Sequence, residues 1–131
     1  MSNPNIIQIN EYNINQKIIE SLANVCSRAV LFSILTQAKD ATQISEELKI
    51  SVSNVYKTLS HLEDLALVNV DKFVISSEGK KIKKYKSRIG QVEILIRGIE
   101  PVLNLYPNNE KTRHLFQANQ LKIQSDSNLI E

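Results

Sequence analysis

Apolar residues change their period along this chain, and the changes mark out its elements. Ile14, Ile18, Ile19 and Leu22 recur at helical spacing and predict a first helix. Asn24 to Cys26 interrupts it, and Ser27 is suited to cap a second helix, SRAVLFSILTQ. That segment is apolar almost all round, as expected of a central, buried helix. Next comes DATQISEELKI, where Asp40 and Gln43 have the spacing of a capping box and Ile44 and Leu48 form the apolar stripe. Ser51 then opens SVSNVYKTLSHLEDLALV as a good N-cap. Val55, Leu59 and Leu62, at spacings of four and three, give it one core face. The opposite face carries Ser53, Asn54, Tyr56, Lys57, Ser60 and His61. Only Lys49, Ile50 and Ser51 join the two helices, a joint tight enough for a helix-turn-helix.

After Val68 the composition turns β-branched. VNVDKFVISS, the turn signal Glu78-Gly79 and KKIKKYKSRI predict a hairpin with its tip at 77–80 and Ile75 opposite Ile82. VEILI, RGIE and PVLNLY predict a second hairpin, punctuated by Gly98 and Pro101. Ile82, Tyr85, Ile89, Val92, Ile96, Ile99 and Leu103 also fit helical spacing. Gly90, Gly98, Pro101 and the density of Ile and Val oppose a helix, so strands are expected. NNEKTRHLFQANQLKI, with Leu115, Phe116 and Ile123, fits a C-terminal helix. Residues 1–13, polar and Asn-rich, are expected to be a flexible arm, and 124–131 a disordered tail.

Length and composition narrow the class. The 131 residues suit one domain, and 42% apolar content supports a core. No apolar run is long enough to span a membrane, and the start MSNPNIIQIN lacks the pattern of a secretory signal. The single cysteine, Cys26, excludes an internal disulfide and agrees with a cytoplasmic protein. The net charge of +2 hides an asymmetry. Residues 72–88 carry seven Lys or Arg against one acid, and the rest of the chain carries nine against thirteen. An acidic body therefore bears one basic block, able to attract a polyanion.

Helices, a helix-turn-helix and then a basic hairpin form the order of the winged-helix plan. Over residues 14–88 the sequence resembles archaeal and bacterial winged-helix regulators, especially the ArsR-like group. SRAVLFSIL, ISEELKISVSNVYKTLSHLEDLALV and GKKIKKYKSR carry the resemblance. It implies an α+β winged helix-turn-helix, a three-helix core plus a β-hairpin wing, here with an extra hairpin and a C-terminal helix. The family often has Gly where this chain has Lys49 and Ala66. If either position needs a left-handed backbone, the side chain costs about 1 kcal/mol.

The resemblance also implies a function: sequence-specific binding of double-stranded DNA by a transcriptional regulator, acting as a homodimer through residues 89–123. The recognition helix, about 51–65, would enter the major groove, where base edges differ in donors and acceptors. Asn54 suits adenine, and Lys57 suits guanine or phosphate. Ser51, Ser53 and Ser60 offer hydroxyls, Tyr56 a stacking ring or a phosphate donor, and His61 lies on the same face. Lys80, Lys81, Lys83, Lys84, Lys86 and Arg88 of the wing would grip phosphates. Alternation along a strand sends these cations to both faces, so three or four of the six are expected to meet one duplex. The alternative is a winged-helix module that binds protein instead; the absence of acids on the helix face before Glu63 favours DNA. His61, His114 and Cys26 show no metal-ligand spacing, and no nucleophilic or phosphate-loop motif is present. Neither metal, cofactor nor enzymatic activity is expected.

Overall fold

The computed structural model describes residues 6–113, with side chains from Ile14 onward. Four helices come first: α1 (Ile6–Ala23), α2 (Val25–Ser33), α3 (Ala41–Leu48) and α4 (Val52–Asp64). Four strands follow: β1 (Val68–Ile75), β2 (Lys81–Ser87), β3 (Ile89–Leu95) and β4 (Val102–Pro107). The architecture is α+β, with two antiparallel hairpins, β1–β2 and β3–β4. No helix among the described residues is long and apolar enough to cross a membrane.

Several boundaries differ from expectation for local reasons. The first helix begins at Ile6 rather than Ile14, so part of the expected flexible arm is helical. Asn24, not Ser27, caps α2, its Oδ1 accepting the Ser27 N–H at 3.0 Å. The Arg28 guanidinium donates to the carbonyls of Leu22 (2.8 Å) and Ala23 (3.2 Å), satisfying the exposed end of α1. Two helices thus meet at one residue. α2 ends at Ser33, earlier than the Gln37 that its apolar run suggested.

α3 has its expected capping box: Asp40 Oδ1 accepts the Gln43 N–H at 2.8 Å, and Gln43 Oε1 accepts the Asp40 N–H at 3.0 Å. The helix stops at Lys49, whose φ of 57° and ψ of 44° are left-handed. Its N–H and that of Ile50 both return to the Ser45 carbonyl. Ser51 Oγ then accepts the Asn54 N–H and opens α4. α4 closes in a Schellman motif, with Leu67 N–H on Leu62 O and Ala66 N–H on Glu63 O, both at 2.9 Å. Ala66 is the left-handed residue of that motif, at φ 60°. Both positions where the family that the sequence resembles often carries glycine therefore adopt αL backbone.

Val30, Leu31, Ile34, Ile44, Val55, Leu59, Leu62, Leu67 and Val68 are the most deeply buried side chains. They come from α2 and its C-cap, α3, α4, the α4–β1 joint and the start of β1, so the recognition-type helix is seated on the core by its own apolar face. The segment before α3 adds a third line to the first sheet. Lys39 and Tyr85 exchange backbone bonds at 3.0 and 2.8 Å, so β2 lies between β1 and Lys39.

In the first hairpin the expected register is off by one. Val74 faces Ile82, and Ile75 faces Lys81. The cause is the tip. Gly79, at φ 80°, donates to Ser76 O, and Ser76 N–H bonds Lys80 O, leaving an odd loop of Ser77, Glu78 and Gly79. The register shifts again between Val70 and Lys72, where Asp71 is left over as a bulge.

The second hairpin forms as expected, and the competing helix over 82–103 does not. Its residues are split between β2, β3, β4 and the β3–β4 connection, with Ile94 opposite Leu103 and Val92 opposite Leu105. A Cβ on Gly90 would lie 3.1 Å from the Pro107 carbonyl oxygen and from Thr112 Cγ2, a tighter fit than most Cβ contacts, so a side chain here would push against the neighbouring strand. Asn108 fastens this hairpin to the winged part: its Nδ2 donates to Leu35 O (2.7 Å) and Ser87 O (2.9 Å). Of the expected C-terminal helix, residues 110–113 are helical; 114–123, with His114, Leu115, Phe116 and Ile123, and the expected tail 124–131 lie outside the described residues.

Candidate nucleic-acid interface

α4 is amphipathic because Val55, Leu59 and Leu62 fill the core, which leaves the other side to solvent. Ser51, Ser53, Asn54, Tyr56, Lys57, Ser60 and His61 are all exposed. Ser53, Lys57 and Ser60 run along one line of the helix, with Asn54 and His61 beside it. Ser51 and Ser53 hydroxyls lie 3.3 Å apart at the helix start. Among the described residues, no hydrogen bond or ion pair engages the side chains of Asn54, Lys57, Ser60 or His61. Tyr56 is 56% exposed rather than packed in the domain. The face therefore presents one ammonium, one amide, one imidazole, hydroxyls and a ring, and the side chains of Asn54, Lys57, Ser60 and His61 have no partner among the described residues.

The wing sorts its cations by strand parity. β2 has no bulge of its own, so Lys81, Lys83, Tyr85 and Ser87 share one face, and Ile82, Lys84 and Lys86 the other. Lys81 and Lys83 are exposed. Lys81 Nζ sits 4.1 Å from the centroid of the Phe73 ring, a cation–π contact. Lys84 has a different setting. Its Nζ meets Asp40 Oδ2 at 3.0 Å and Gln43 Oε1 at 2.5 Å, and both charged side chains are only 16% exposed. Lys84 thus ties the wing to the N-terminus of α3. Lys80 is exposed near Glu78, at 3.9 Å; Arg88 is exposed, and Lys86 is half-buried. Lys72, also exposed, pairs with Lys84 and so lies on the face opposite Lys81 and Lys83.

Tyr85 fixes which side of the wing looks toward α4. Its phenol is pushed above the usual 10.0, first by burial and then by Glu63 and Tyr56 of α4. Tyr85 is buried in one cluster with Val55, Leu59 and Leu62 of α4, so the wing face carrying it is the one turned to the recognition-type helix. On the second hairpin, Tyr106 donates to Glu93, which raises the Tyr106 pKa. Among the described residues no cluster of His, Cys, Asp or Glu is arranged to hold a metal.

A short-jointed helix pair, a strand bridge at Lys39 and an antiparallel wing define a winged helix-turn-helix fold. No protein-family model and no curated protein sequence matches the chain. The fold does match a solved structure, that of NolR from Sinorhizobium fredii, an ArsR-family winged-helix transcriptional regulator. The match has a TM-score of 0.52 at 18% identity and covers 66% of this chain and 81% of that one. At that identity the likeness is one of fold, and it agrees with the ArsR-like resemblance carried by residues 14–88.

Proposed function

We propose that this protein is a sequence-specific, double-stranded-DNA-binding transcriptional regulator of the cytoplasm, and not an enzyme. The observation that carries the reading is the exposed α4 face, with the side chains of Asn54, Lys57, Ser60 and His61 unpaired among the described residues and no acid before Glu63, beside an exposed basic wing. In this reading residues 14–88 are the DNA-binding domain. α4 lies in the major groove, Asn54 reads adenine, and Lys57 reads guanine or meets phosphate. Ser51, Ser53, Tyr56, Ser60 and His61 flank them. Lys80, Lys81, Lys83, Lys86 and Arg88 hold phosphates and set the register of the protein on the duplex without specifying sequence. Lys84 is assigned to the Asp40 pair instead.

The second hairpin favours a protein contact. Ile94, Ile96, Ile99, Val102 and Leu105 are exposed on β3, β4 and their connection, a density unusual for a solvated surface. We assign residues 89–123 to a homodimer contact, which would give the two-fold partner expected of an operator-binding regulator.

Selection from a random duplex library, with affinity measured at two salt concentrations, tests the function. An enriched sequence and a steep salt dependence are expected. Lys81→Glu with Lys83→Glu should weaken binding and flatten that dependence. No retained duplex at low salt would sink the proposal and move the fold to the protein-binding class.

A further inference from the structure

α1, the start of α2 and the second half of α4 border a cleft of about 210 Å³ to which the wing contributes nothing. Its lining residues are all polar: Lys17, Glu20 and Ser21 of α1, Asn24 and Ser27 at the α2 N-terminus, and His61 of α4. Lys17, Glu20 and Ser21 form one stripe of α1, set beside the buried Ile18 and Leu22 that seat the helix. Lys17, Glu20, Asn24 and His61 are exposed and make the rim, whereas Ser21 and Ser27 are buried. The Ser21 hydroxyl has no hydrogen-bond partner among the described residues. A hydroxyl withdrawn from water and left unpaired is costly, and native structures hold few of them. The charges are unmatched as well. Lys17 and Glu20 stand three apart, a spacing that allows an ion pair on a helix, yet they form none. Glu20 accepts one bond of 3.3 Å from Gln16. Asn24 commits its Oδ1 to the Ser27 N–H, and its amide nitrogen and the Ser27 hydroxyl stay unengaged among the described residues.

We propose that this cleft binds a small zwitterion, an α-amino acid with a short polar side chain. Lys17 takes the carboxylate, Glu20 takes the ammonium, and the Ser21 hydroxyl supplies the buried hydrogen bond between them. Asn24, Ser27 and His61 meet the polar side chain. The two opposite charges select the ligand. A simple anion would face Glu20 and a simple cation would face Lys17, each at a cost that a molecule carrying both charges avoids. Size selects it too, because the cleft is smaller than the ~300 Å³ at which sites for drug-sized molecules begin. The lining offers hydroxyls and an amide in place of an apolar pocket, which suits serine, threonine or asparagine better than leucine or phenylalanine. The inference stands apart from the DNA-binding reading, since His61 is the one lining residue that belongs to the α4 face.

Isothermal titration of the full chain with L-serine, L-threonine and L-asparagine tests the site. Glycolate, which lacks the ammonium, and ethanolamine, which lacks the carboxylate, are titrated alongside. One or more of the amino acids should bind one to one, and each half-molecule should bind roughly tenfold or more weakly, because it leaves one charge unmet. Lys17→Met and Glu20→Gln alter exposed side chains, so both proteins should melt as the wild type does while losing about tenfold or more in amino-acid affinity. Glu20→Gln should also bind glycolate more tightly than the wild type, an effect that a purely structural role of Glu20 would not produce. Ser21→Ala should weaken the amino acid and raise the melting midpoint of the ligand-free protein, since it deletes an unpaired buried hydroxyl. Failure of all three amino acids to bind overturns the site and leaves a cleft that holds water. Glycolate or ethanolamine binding as tightly as the amino acids overturns the zwitterion. Equal affinity in Lys17→Met, Glu20→Gln and wild type places the ligand elsewhere and overturns the assignment. None of these results alters the outcome of duplex selection, so this inference and the DNA-binding reading fail separately.

Discussion

Lys83 and Lys84 are neighbours in sequence and opposites in the structure, which makes them a sharp test of the interface. Lys83 is exposed on the α4-facing side of the wing, whereas Lys84 is held by Asp40 and Gln43 with 16% of its side chain exposed. Each phosphate contact contributes about 0.9 to the slope of log affinity against log salt. Between about 50 and about 200 mM salt, one such contact is worth roughly threefold in affinity. In the proposed homodimer each substitution removes two contacts, so Lys83→Met should reduce the slope by about 1.8 and recover roughly tenfold of the salt-induced loss. Its fold should be unaffected. Lys84→Met should do the reverse. The pair is neither fully exposed nor fully buried, so its loss falls between the two regimes, roughly 1–2 kcal/mol of stability. Its salt slope should equal that of the wild type. Anisotropy titrations at several salt concentrations and urea unfolding of both variants provide the readout. A Lys84→Met protein that melts normally yet loses slope as Lys83→Met does would refute the partition of the wing into a holding face and a structural face.

Two further outcomes follow from backbone and burial. Ala66→Gly should stabilise the protein by about 0.5–1 kcal/mol, because relief of the left-handed strain exceeds the greater chain entropy that glycine loses on folding; a lowered urea midpoint would count against that balance. The Tyr85 phenol titrates above 10.0 in the folded state, so folded protein holds its proton longer than unfolded chain does. Stability should therefore be at its full value below about pH 10 and fall as pH rises through the folded pKa; Tyr85→Phe should remove part of that alkaline loss, measured by urea midpoints across the range.

What the sequence made legible was local chemistry. Asp40 and Gln43 stand three apart, and both bonds of the capping box form. Ser51 caps α4, and Val55, Leu59 and Leu62 are buried as their spacing requires. The two hairpins follow from β-branched runs separated by glycine and proline. Lys49 and Ala66 drew attention only by comparison with a family that prefers glycine there, and both prove left-handed. Position-by-position propensity would not have marked either one. The Asn24 cap was obscured because Asn24 and Ser27 are both good capping residues, and the choice depended on the Arg28 guanidinium reaching back to α1.

The remainder was hidden because parity accumulates along a strand and charge counts do not. Six cations in residues 80–88 give the same net charge whichever way each one points. An odd tip loop moved Ile82 from Ile75 to Val74, and the bulge at Asp71 reversed the faces of β1. Neither event has a strong local signature: Asp71 sits within VNVDKFVISS as one polar residue among alternating ones. Lys84 then found a carboxylate 44 residues away, a partner that no window of sequence contains. A basic run therefore identifies a class of partner through its field, while the role of each cation depends on its parity along β2 and on the partner it meets across the fold. In this wing the bulge at Asp71 leaves the lysines of β2 where alternation puts them and instead brings Phe73 and Ile75, rather than Lys72 and Val74, to the side that carries Tyr85.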